Sequence, residues 1–62
     1  MTERNYLYKT IAALEDALAY LAPVEEAERK KGKKGTVYAV QICRQLILQT
    51  HNACALLLRE VQ

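Results

Sequence analysis

From Leu7 onward, apolar residues recur at alternating spacings of four and three: Leu7, Ile11, Leu14, Leu18, Leu21. At about 100° per residue these positions stay in one stripe, which predicts an amphipathic helix from about Glu3 to Leu21. Asn5, Lys9, Ala12, Asp16 and Ala19 occupy its far side. Thr2 is placed to cap this helix, and Glu3 falls in the first turn, where the helix dipole favours an acid. Pro23 then disfavours helical geometry at Ala22, so the helix is expected to end there or kink. Pro23-Val24-Glu25-Glu26 also reads as a fresh first turn. Glu25/Arg29 and Glu26/Lys30 are i,i+4 pairs in the favourable order. A short polar helix, or a kinked extension, is therefore expected from Pro23 to about Lys31, with Gly32 as its stop.

Gly32-Lys33-Lys34-Gly35 reads as the connection, with Thr36 capping a last helix that runs to about Glu60. In that helix Cys43, Ile47, Thr50, Cys54, Leu57 and Val61 form the expected seam, widened by Ala39, Val40, Leu46 and Leu58. Val37, Leu48, Ala55 and Leu56 fall opposite, among Gln41, Gln45, Asn52 and Arg59. A helix apolar over most of its circumference is normally buried on more than one side. One helix of the same chain cannot cover it. The pattern thus predicts an all-α fold, a helical hairpin of two long helices, assembling into an oligomeric helical bundle. No strand alternation and no internal repeat interrupts it, so residues 1–62 read as a single helical domain.

Size supports the same expectation. A chain of 62 residues hides only about 60% of the surface its unfolded form exposes, and usually needs a disulfide, a metal or a partner. With 52% apolar and 26% charged residues the composition is that of a folded protein. The sequence has neither a secretory leader pattern nor an apolar run long enough to span a bilayer, so no membrane partner is expected and a reducing cytoplasm is the expected location. Cys43 and Cys54 are then expected to be free thiols packed like small hydrophobes.

The net charge of +2 dictates no partner, but its distribution is uneven. Arg29, Lys30, Lys31, Lys33 and Lys34 crowd around Gly32. Such a segment is suited to phosphates through charge and the nearby helix N-terminus; the plainer reading is a solvated loop. Tyr6 and Tyr8, with Arg4 and Lys9, form an aromatic-plus-cation group suited to stacking a base; the plainer reading is tyrosines covering bundle ends. His51 and Cys54 share a helix face, but Cys43 lies about 16 Å away along the axis, too far for a common metal or an intrachain disulfide. Neither a metal nor a cofactor is expected. Glu15 and Asp16 point in different directions, and no nucleophile, phosphate loop or redox motif is present, so no enzymatic activity is expected.

The sequence thus reads as a small non-enzymatic interaction protein, a regulator or inhibitor that binds a protein partner as a homo-oligomer, most simply a dimer. Its expected oligomer contacts are Ile47, Cys54, Leu56, Leu57 and Val61. The alternative is an anion binder for nucleic acid or a small nucleotide through Arg29–Lys34, with Tyr6, Tyr8 and Lys9.

Overall fold

A computed structural model describes residues 2–61 as two antiparallel helices, α1 (Glu3–Lys30) and α2 (Lys34–Glu60). Among the described residues there is no strand. The Thr2 hydroxyl accepts from the Asn5 amide at 3.3 Å, as its position before α1 leads one to expect. Leu7, Ile11, Leu14, Leu18 and Leu21 all turn towards α2 and are half-buried.

Pro23 neither ends nor separates α1: the helix runs through it as one 28-residue element. The reason lies across the hairpin. Glu25, beyond the proline, reaches Arg44 of α2 at 3.1 Å. A helix ending at Leu21 would lose the Glu25–Arg44 pair and uncover Val37 and the buried Val40 in the first turns of α2. Covering them outweighs the hydrogen bond that proline withholds from the Ala19 carbonyl.

The turn is a Schellman motif. Gly32 has φ 75°, a conformation that glycine adopts without strain. The Lys33 amide donates to the Glu28 carbonyl (3.2 Å) and the Gly32 amide to that of Arg29 (3.0 Å), which satisfies the last carbonyls of α1. Because the chain reverses so tightly, α2 starts at Lys34, earlier than expected. Gly35 and Thr36 are absorbed into its first turn, so Thr36 is not the cap. Lys33 holds that position and supplies no capping side chain.

The face that α2 turns to α1 is also rotated from the expected seam. Residues covered in the hairpin are Val37, Val40, Arg44, Ile47, His51, Cys54, Leu58 and Val61, again spaced three and four. This rotation brings Arg44 and His51 to acids of α1, Glu25 and Glu15, at 3.1 Å each. It leaves Cys43, Thr50 and Leu57 exposed and takes Val37, expected on the far side, into the seam. Cys43 is therefore not a buried packing residue, whereas Cys54 is.

The hairpin forms one layer, with extents of 47 × 16 × 10 Å between Cα positions. Among the described residues only Val40 and Cys54 are buried, each 7% exposed.

Candidate interaction surfaces

Two kinds of surface follow from this frame. The first comes from the helical repeat. Stepping back one residue from each seam position rotates about 100° around either helix. Both helices are right-handed and they run antiparallel, so the step leads to the same side of the hairpin on both. On α1 it selects Tyr6, Thr10, Ala13, Ala17, Tyr20 and Val24, continuing to Ala27. On α2 it selects Thr36, then Ala39, Cys43, Leu46, Thr50, Ala53 and Leu57, and ends at Glu60 in the last turn. Up to Leu57 none of these carries a charge. Stepping forward instead leads to the opposite side, where Glu15, Glu26, Arg29 and Arg59 lie with Gln41, Gln45 and Asn52. The uncharged side presents large apolar groups to solvent, among them Tyr20 at 74%, Tyr6 at 59% and Leu46 at 56% exposure.

Of the five expected oligomer contacts, Ile47, Cys54 and Val61 face α1, while Leu56 and Leu57 face outward. The expected seam of α2 lay midway between its two apolar faces and mixed residues of both. Sequence reasoning therefore missed the uncharged side as a unit. The signal that finds it is the missing charge one residue before each apolar seam position from Leu7 to Leu58, legible only once the seam is fixed.

The second surface lies at the turn. Arg29, Gly32, Lys33, Lys34, Val37, Tyr38 and Gln41 line a cleft of about 280 Å³. The Schellman turn positions Lys33 and Lys34, and the first turns of α2 add Tyr38 and Gln41, which the sequence reading did not assign to this site. Two of the bases are engaged by acids of α1. Arg29 donates to Glu25 at 2.6 Å, and Lys31 lies 3.9 Å from Glu28. Glu25 thus stands between Arg29 and Arg44. Its Oε1 is buried with no donor aligned on it, so the Arg44 contact is an ion pair without a directed hydrogen bond. Lys30 and Lys31 do not line the cleft.

Tyr6, Tyr8 and Lys9 lie at the other end of the 47 Å hairpin, so one small ligand cannot touch them and the turn together. Nor do the two tyrosines act as a pair. Tyr6 belongs to the uncharged side and Tyr8 to the opposite one. Arg4 serves Tyr8 and the helix end: its guanidinium donates to the Tyr8 hydroxyl at 3.1 Å, lies 5.7 Å from that ring's centre, and donates to the carbonyls of Leu58 and Val61 at 2.8 and 3.0 Å. Tyr20 is interior to α1 because the helix continues past Pro23.

His51 and Cys54 share the seam, where the His51 Nε2–H donates to the Glu15 carboxylate at 3.1 Å. Among the described residues no three His, Cys, Asp or Glu side chains gather as a metal site, and no helix is long and apolar enough to cross a membrane. In comparisons with known proteins the chain matches no family model, no curated protein and no solved structure.

Proposed function

We propose that this chain acts by binding, as a non-enzymatic regulator or inhibitor that docks a protein partner as a homo-oligomer in a reducing cytoplasm. The observation that carries the reading is the surface of the hairpin: two helices hide only Val40 and Cys54 while Tyr6, Tyr20, Leu46, Leu56 and Leu57 are about half-exposed or more. Contiguous exposed apolar surface of this kind marks association sites. The test is sedimentation at micromolar concentration, followed by affinity capture from the native source at about 50 and 500 mM salt. A partner held by apolar contact stays bound at the higher salt. A stable monomer that retains no protein refutes the proposal.

The turn cleft favours a second reading, an anion binder for nucleic acid or a small nucleotide. Lys33 and Lys34 would meet a phosphate there while Tyr38 offers a ring. Binding to single-stranded DNA, duplex DNA, RNA and mononucleotides is measured at about 50 and 200 mM salt, where phosphate contacts weaken steeply. Replacing Lys33 and Lys34 with serine should abolish it and leave helicity intact. If the wild type binds none of these at the lower salt, the second reading falls.

A further inference from the structure

From the distribution of charge about the hairpin we infer that the uncharged side, centred on Ala13, Ala17, Leu46 and Ala53, is where a second copy of this chain packs, face to face, to make a two-layered four-helix bundle. The inference rests on the homo-oligomer reading above and adds which side is covered and by what.

Three observations point to a second copy as the occupant. The first is thickness. Domains need two packed layers around a core, and this chain supplies one layer, 10 Å deep between Cα positions. The second is area. The chain exposes 4814 Å², whereas a compact monomer of its mass, 7.1 kDa, exposes about 4,100 Å². The difference, roughly 700 Å², is close to the ~800 Å² that each partner hides in a stable interface. The third is self-complementarity. Two-fold pairing makes a surface meet its own copy, so a charge near the axis meets its like. Between Tyr6 and Ala27 on α1, and between Thr36 and Leu57 on α2, this side has none to oppose. The other side would bring Glu15, Glu26, Arg29 and Arg59 into the contact, and desolvating these charges is costly. Lys9 and Asp16 border the uncharged side on α1, Gln49 borders it on α2 and Glu60 closes its end, as a polar rim borders an apolar interface. Thr10, Ala13 and Ala17 between the bulky Tyr6 and Tyr20 let the two backbones approach closely.

Two alanines of α2 make the test. Ala53 lies on the uncharged side and Ala55 on the opposite one; both are exposed in the single hairpin. Ala53→Glu and Ala55→Glu make the same chemical change two residues apart. Sedimentation equilibrium of the full chain, with circular dichroism, should give a wild-type dimer. Ala53→Glu should weaken it by about a hundredfold or more, since it buries a charge without a partner, and Ala55→Glu should leave it within a fewfold. The reverse order overturns the choice of side and leaves self-association standing. A wild type that is helical and monomeric at 100 μM (about the top of the assay range) overturns both.

Should Ala53→Glu unfold on losing its partner, the wild type still decides the matter through its tyrosines. Hydroxyl-radical footprinting across a dilution series should protect Tyr6 and Tyr20 at high concentration while Tyr8 and Tyr38 stay reactive. Protection of Tyr8 and Tyr38 with Tyr6 and Tyr20 open overturns the inference.

Discussion

Replacing Pro23 with alanine tests the continuity of α1 directly. Residue 23 lies inside the helix, seven positions before its end, and is exposed, so the change removes no packing. Alanine there restores an amide that can donate to the Ala19 carbonyl and relieves the clash of the proline ring with it. In an exposed helix interior the difference between the two residues is about 3 kcal/mol in favour of alanine. Against this, the unfolded chain gains freedom when proline is lost, which takes back roughly 0.4–1 kcal/mol. Helices commonly relieve part of this strain by bending at proline, which lowers the gain further. A net gain of about 1–2 kcal/mol is expected, a rise of roughly 5–15 °C in melting temperature for a chain of this size. The assay is thermal and urea denaturation followed by circular dichroism, at matched protein concentration because association shifts the midpoint. Unchanged or lowered stability would refute the reasoning. It would mean that α1 ends at Ala22 and that Pro23 opens a separate helix, where proline is favoured.

Smaller changes probe the turn and the helix ends. Gly32→Ala forces a side chain into a left-handed conformation and should cost about 1–2 kcal/mol in a urea melt. Gly35→Ala, in the first turn of α2 with open space around it, should instead raise stability by up to about 1 kcal/mol. Arg4→Ala releases the carbonyls of Leu58 and Val61 and should speed amide exchange in the last turn of α2, with a loss of about 1 kcal/mol. Cys54→Ala removes a buried sulfur from the seam and should cost about 1 kcal/mol by the same melts.

The two helices and the apolar stripe of α1 were legible because five residues, Leu7 to Leu21, carry one unmixed period. The end of α1 was not, because the local preference of Pro23 is opposed by contacts to a helix about twenty residues away in sequence. The start of α2 was misplaced for a related reason: the tight turn at Gly32 leaves no room for Thr36 to stand outside the helix. The seam of α2 was harder still. An apolar stripe that serves two neighbours has its average direction between them, and averaging merged Ile47 and Cys54 with Cys43 and Leu57. Two polar residues, Arg44 and His51, sit in the true seam and hide it from a reading based on apolarity alone. They belong there because Glu25 and Glu15 answer them from α1, a match visible only when the helices are paired. At the turn, the bases stood out in the sequence, but Tyr38 and Gln41 join them only through the fold of the chain.

The nested arrangement of the hairpin's long-range pairs sets an order of events in time. Glu25 with Arg44 lies inside Glu15 with His51, which are 36 residues apart, and both lie inside Arg4 with Val61, which are 57 apart. Closing the outermost pair from an open chain would cost the entropy of the whole loop, whereas each pair in turn closes only the few residues added since the one before. Folding is thus expected to zip from Gly32 towards the termini, and opening to begin where Arg4 holds the end of α2. A fusion or tag at either terminus loads the part of the molecule that opens first and closes last. An insertion at Gly32 instead delays the step on which every later pairing depends.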